Sequence, residues 1–92
     1  MTDVEARETV TLLNRYGLHA RPIKMFVDLT NARASAISVS KGGRTVNGKS
    51  ILEMMTLCAA QGDTLEIVAK GDDAAQAVRD LRTLVESKFG EE

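Results

Sequence analysis

Apolar and polar positions change their spacing several times along the chain, and each change marks a boundary between elements. Glu8-Thr9-Val10-Thr11-Leu12-Leu13 alternates and is rich in β-branched residues, which predicts a first strand ending at Asn14. From Ala20 to about Ala32 the spacing lengthens. Ile23, Phe26, Val27 and Thr30 recur at three- and four-residue intervals, the stripe of an amphipathic helix, with Pro22 tolerated in its first turn. The stretch from Ala34 to Ser40 alternates again, as a strand with one wet face does. Gly42-Gly43 offers a two-residue turn into a third strand, Arg44–Asn47, so the two strands form a hairpin. Ser50 followed by Glu53 has the capping-box pattern and predicts a short helix to about Cys58. Asp63 to Lys70 alternates as a fourth strand. Gly71-Asp72-Asp73 then supplies a turn and an N-cap for a last helix whose stripe is Ala74, Val78, Leu81, Leu84, Val85 and Phe89.

The order is βαββαβα, which implies an α+β fold: a four-stranded antiparallel sheet with three helices packed on one face. No linker divides residues 1–92, so they read as one domain, with residues 1–7 and 91–92 expected to be loose termini. Only 3% of the residues are aromatic, so the core must be built from aliphatic side chains, which argues against a deep, walled substrate cavity. The lone cysteine, Cys58, excludes an intrachain disulfide, and one Cys with one His cannot supply a four-ligand zinc site. Cys58 is expected to be a small buried apolar residue. No metal or cofactor is expected. The sequence has neither a secretory signal pattern nor an apolar run near the ~20 residues that span a bilayer, so the expectation is a cytoplasmic protein without membrane insertion.

Charge is distributed unevenly. Residues 9–52 carry seven Lys/Arg against one acid, a net +6, while residues 1–8 and 53–92 carry −2 and −5. A basic half favours encounters with phosphate or an acidic partner. The near-neutral total and the shortage of aromatic residues to stack on bases disfavour nucleic acid.

The only histidine, His19, lies within that basic half, between the first strand and the first helix. Backbone N–H groups at a helix start lack intrahelical partners, and the helix dipole there favours negative charge. A free imidazole is substantially neutral at cytoplasmic pH, so one ring nitrogen has a lone pair for nucleophilic attack. A hydrolase using His19 as general base with a serine is a weaker reading, because no second catalytic acid has an evident place.

Gly17-Leu18-His19-Ala20-Arg21-Pro22, Lys49-Ser50-Ile51 and the ending Phe89-Gly90-Glu91 together resemble the histidine-containing phosphocarrier (HPr) family of the bacterial phosphoenolpyruvate:sugar phosphotransferase system, over roughly residues 8–91. The resemblance implies an HPr-like open-faced sandwich. It also implies that His19 is phosphorylated on Nδ1 by phospho-enzyme I and passes the group to IIA components for sugar uptake. Such a protein is a phosphoryl-group carrier rather than a stand-alone catalyst. Arg21 can add a charge-assisted hydrogen bond to the phosphoryl oxygens. Ser50, besides capping its helix, is implied to be a regulatory site for an HPr kinase/phosphorylase, with a transcriptional regulator as a further partner. A regulatory phosphorelay role without sugar transport is the alternative.

The family commonly has a small residue after the proline, whereas this chain has Ile23-Lys24, which bears on partner preference. Met54, Leu57 and Cys58 suit the core, which turns Ile51, Leu52 and Met55 outward as an adaptable docking patch. Ala20, Ile23, Lys24 and Lys49 complete the expected partner surface. A monomer is expected, since a shuttle must keep its active face free.

Overall fold

Strand β1 (Glu5–Thr11) is followed by helix α1 (Ala20–Asn31), strands β2 (Ala36–Lys41) and β3 (Arg44–Asn47), helix α2 (Ile51–Met55), strand β4 (Thr64–Lys70), helix α3 (Ala74–Glu86) and a 3-10 turn, Lys88–Gly90. This is a computed structural model, and it describes residues 4–91. The strands form one antiparallel sheet in the order β1-β4-β2-β3, the architecture the periodicity predicts.

Alternation along the strands sorts the two faces. Val10, Leu65, Ile67, Ala69, Ile37 and Val39 are buried beneath the helices. The other face carries Arg7, Thr9, Glu66, Ser38 and Thr45, which are mostly exposed, with Val68 packed among them. The helices close the core with Phe26 and Val27 of α1, Met54 of α2, and Val78, Leu81 and Val85 of α3. An aliphatic core with two phenyl rings follows directly from the composition.

Several boundaries differ from the sequence reading. Strand β1 starts at Glu5, and residues 5–7, expected to be loose, pair with Lys70, Ala69 and Val68. Backbone pairing needs no apolar side chains, and Arg7 adds a cross-strand contact to Glu66 at 3.5 Å. The expectation of loose ends at residues 1–3 and 92 falls outside the described residues. Leu12 and Leu13 lie beyond the strand: the Leu12 N–H donates to the Asp63 carbonyl at 2.9 Å as the chain turns away.

Helix α2 stops at Met55, three residues early, because Cys58 has a left-handed backbone (φ 49°) that turns the chain. Leu57 and Ala59 then point inward, and Cys58, expected to be buried, is exposed. Only half of the capping box forms. The Glu53 N–H donates to Ser50 Oγ at 3.1 Å, but Glu53 Oε1 accepts from the Asn47 N–H at 2.9 Å, and the Ser50 N–H goes to the Asn47 carbonyl at 3.1 Å. Asp73 stands at the N-cap of α3 without capping it. Its carboxylate accepts from the Ala34 and Ser35 N–H groups and the Ser35 hydroxyl, which ties α3 to the approach to β2.

Phe89 belongs to the apolar stripe but not to the helix. Helix α3 ends at Glu86, and Lys88 and Phe89 both adopt left-handed backbone (φ 59° and 55°), which folds the chain back on itself. Each such residue costs about 1–2 kcal/mol. Burial of the Phe89 ring, fully removed from solvent, offsets a cost of that size, since burying a Phe contributes about 1.5–3 kcal/mol. Phe89→Ala is expected to lower stability by about 3–5 kcal/mol, read as a shift in the urea midpoint. A change below 1 kcal/mol would mean that the reversal is held by something else.

Candidate functional site

The two segments that flank His19, the turn Asn14–Leu18 and the first turn of α1, meet there with a distant one, the returning chain at Glu91. The turn is fixed by a close approach. Gly17 has φ 60°, and a Cβ on it would lie 2.5 Å from the Ala59 carbonyl oxygen and 2.7 Å from Ala60 Cα. Both neighbours are backbone, so only glycine fits there. The next residue, Leu18, is buried and donates its N–H to the same Ala59 carbonyl at 2.9 Å. His19 therefore follows a turn locked from both sides.

His19 is the N-cap of α1, with extended backbone (φ −88°, ψ −174°). Its carbonyl accepts the first helical hydrogen bond, from the Ile23 N–H at 3.0 Å. Its side chain caps nothing, so the ring stays free for other partners. Pro22 has no N–H, which leaves those of Ala20 and Arg21 as the first-turn donors with no helical acceptor. These two groups and the dipole make an anion-binding position beside the ring.

On the other side of the ring stands a carboxylate. Glu91 Oε2 lies 2.9 Å from His19 Nε2 and Oε1 lies 3.1 Å away. Arg21 Nη1 donates to Oε2 at 3.0 Å and Asn14 Nδ2 to Oε1 at 3.1 Å. Asn14 is fully buried, and its Nδ2 also donates to the Gly17 carbonyl at 2.7 Å. The hydrogen bond from His19, aided by those from Asn14 and Arg21, holds the Glu91 carboxyl below the ordinary glutamate range despite partial desolvation. Tyr16 meets the imidazole edge-on, with ring centroids 6.0 Å apart, and the Arg15 guanidinium lies 5.9 Å from the Tyr16 centroid. Arg15, Tyr16, His19 and Glu91 line a shallow depression open to solvent.

The expected site residues separate into groups. His19 and Arg21 come together, with Ala20 exposed beside them, and Lys24 lies one turn along α1, where it pairs with Asp28 at 2.7 Å. Ile51, Leu52 and Met55 are outward as expected, 45%, 77% and 52% exposed on α2, the helix packed on α1. Ile23, expected on the partner surface, is only 2% exposed. It sits on the inward stripe with Phe26 and Val27 and cannot face a partner. Ser50 and Lys49 lie at the far end of α1, ~18 Å along its axis from His19. There Thr30 Oγ1 donates to the Gly48 carbonyl and Asn31 Nδ2 to the Lys49 carbonyl. Lys49 is half-buried, its ammonium donating to the Arg33 carbonyl at 2.8 Å, so it closes the end of α1 and is not free for a partner.

Three participants escape a reading of the sequence: Glu91, Asn14 and Tyr16. Glu91 was expected in a loose terminus, yet it is only 18% exposed and carries four hydrogen bonds. The signal available was Phe89, an apolar residue just past the helix that had to be buried and so had to bring its neighbours with it.

Comparison with known proteins places the fold in a family. The family profile described as the PTS HPr component phosphorylation site matches residues 6–87. The chain is 38% identical to Phosphocarrier protein HPr of Neisseria meningitidis over 85 residues, covering 92% of this chain and 96% of that one. It is likewise 38% identical to Phosphocarrier protein HPr of Treponema pallidum, over 92% of this chain and 97% of that one. The crystal structure of HPr-C-His from Thermoanaerobacter tengcongensis superposes with a TM-score of 0.92 at 42% identity, covering 95% and 98% of the two chains. The family profile and these relatives make the chain a phosphocarrier, and it belongs to the HPr family of phosphocarrier proteins.

A carboxyl whose folded value is depressed stabilises its contacts above its unfolded value, and that contribution is lost as pH falls through the folded value. The Glu91 contacts are therefore expected to persist through neutral and weakly acidic pH and to open only below the ordinary glutamate range. The carbon-13 shift of the Glu91 carboxyl, followed by NMR, should titrate below that of an exposed glutamate. Titration at the ordinary value would contradict these contacts.

Proposed function

We propose that His19 is the residue of this phosphocarrier that takes the phosphoryl group, on Nδ1, and that Arg21 and the free N–H groups of Ala20 and Arg21 hold its oxygens. What carries the reading is the position of the ring: free, at the N-terminus of α1, with its Nε2 side already occupied by Glu91. Nδ1 is the nitrogen left to attack. Arg21 is 57% exposed at its side chain and is held to Glu91 by one nitrogen, so its guanidinium has further donors to offer. A carrier must give up what it takes, and an exposed site with a few oriented donors stabilises the bound group without trapping it.

Phospho-enzyme I is the donor in this reading, and IIA components for sugar uptake are the acceptors. Ile51, Leu52 and Met55 form the apolar part of the docking surface, and Ala20, Arg21 and Lys24 of α1 complete it. The work is done in the cytoplasm by a monomer; no helix among the described residues is long and apolar enough to cross a membrane. Ser50 is the regulatory site within the same proposal, for a kinase that reads its half-exposed hydroxyl. A phosphoserine would add about −1.5 to −2 charges at the start of α2. That charge would sit beside Ile51 and Leu52 and oppose any acidic partner.

Incubation with phosphoenolpyruvate, magnesium and enzyme I is expected to give an acid-labile, alkali-stable phosphate that is absent from His19→Ala. Normal labelling of that variant would overturn the assignment. Met55→Asp is expected to raise the KM for enzyme I roughly tenfold with little change in kcat, since it puts charge into the apolar patch. An unchanged KM would remove α2 from the docking surface.

A further inference from the structure

Lys41, the last residue of β2, reaches across to residues 56–63, which join α2 to β4. An ammonium carries three N–H donors, and three acceptors surround this one: the Leu57 carbonyl at 3.1 Å, the Cys58 carbonyl at 3.2 Å and the Asp63 carboxylate at 3.2 Å. Two of them are consecutive carbonyls. The left-handed Cys58 between them (φ 49°) points both the same way, as a helical residue would. The third acceptor, Asp63, also takes the Ala60 N–H at 2.8 Å. One side chain therefore ties both ends of residues 57–63.

Within that run lies the backbone of Ala59 and Ala60 against which Gly17 is fitted, and the Ala59 carbonyl takes the Leu18 N–H at 2.9 Å. Other contacts hold the half nearer β4: Gln61 Nε2 donates to the Leu13 carbonyl at 3.0 Å, and the Gly62 N–H to the Leu12 carbonyl at 2.8 Å. In the half nearer α2, burial of Leu57 and Ala59 fixes depth but not the direction of a carbonyl. Charge-assisted hydrogen bonds from Lys41 supply that direction.

We propose that Lys41 is a positioning residue for phosphoryl transfer: it orients the carbonyls of residues 57–59 and, through the bond from Leu18 to Ala59, sets the ring of His19. This rests on the assignment of His19 as acceptor. Group transfer is sensitive to such placement, since a shift of about 1 Å caused far from the chemistry can cost roughly a hundredfold. Lys41 acts through the loop alone, so one of the seven basic residues of the 9–52 half is engaged within the chain.

The test compares wild type with K41M and K41R. K41M keeps the apolar stem and removes all three donors. Its uptake from phospho-enzyme I and its transfer to a IIA domain are expected to slow about three- to tenfold in kcat, with KM changed less than about twofold because the α2 patch is left in place. K41R returns the charge on a planar fork and should recover part of the loss. Amide hydrogen exchange separates positioning from general stability. In K41M the Leu18 N–H should exchange about tenfold faster, against less than about threefold for the β4 amides paired with β1 and β2. An equal acceleration of all these amides, an unchanged Leu18 amide or a wild-type kcat would each overturn the role of Lys41 and leave His19 as acceptor. Normal labelling of His19→Ala would instead remove the acceptor on which the proposal stands.

Discussion

At Gly17 the chain passes so close to the backbone of Ala59 and Ala60 that no side chain can stand between them. The Ala59 carbonyl takes the Leu18 N–H, and Asn14 closes the turn from the other side. Everything at the site follows from that contact. It brings the loop after α2 against the loop before α1, sets the angle at which α1 begins, and fixes the residue at its start. A histidine on a looser turn would have the same chemistry and no defined neighbours. The loops can be this rigid because Leu18 on one side and Leu57 and Ala59 on the other are buried in the common core.

The anion position and the carboxylate lie on opposite sides of one imidazole, and they are built differently. The first is made of backbone: N–H groups left over at a helix start, beside a proline that has none. The second is made of side chains brought from the other end of the chain. Helix termini offer anion sites in any helical protein, whereas the carboxylate depends on a specific reversal through Lys88 and Phe89. The two halves meet at Arg21, which sits in the first turn of α1 and donates to Glu91.

Much of the fold is legible in local pattern. The inward stripes of α1 and α3, the Gly42-Gly43 hairpin and the alternation of β4 each follow from residues close in sequence. Departures arise where a distant partner decides. Glu5-Ala6-Arg7 has no strand-like character of its own and is extended because β4 pairs with it. Glu53 and Asp73 have the right types for caps, but backbone donors from Asn47 and from Ala34 and Ser35 compete for their carboxylates and win. Cys58 is exposed because a left-handed residue reverses the side on which its neighbours fall. Ile23 is a different case: its place on the stripe with Phe26 and Val27 already pointed inward, and adjacency to the motif obscured it. At the site, His19 and Arg21 are visible as a motif, while Glu91 appears only in the matching ending Phe89-Gly90-Glu91, and nothing local ties it to a ring seventy-two residues away.

Tyr16, 69% exposed and edge-on to the His19 ring, has a spectroscopic consequence. The chain has no tryptophan and no other tyrosine. Its near-ultraviolet absorption and emission therefore arise almost wholly from one phenol placed against the imidazole, with two phenylalanines contributing weakly. The protein carries its own optical probe against the ring proposed to take the phosphoryl group, and no label need be attached to read it.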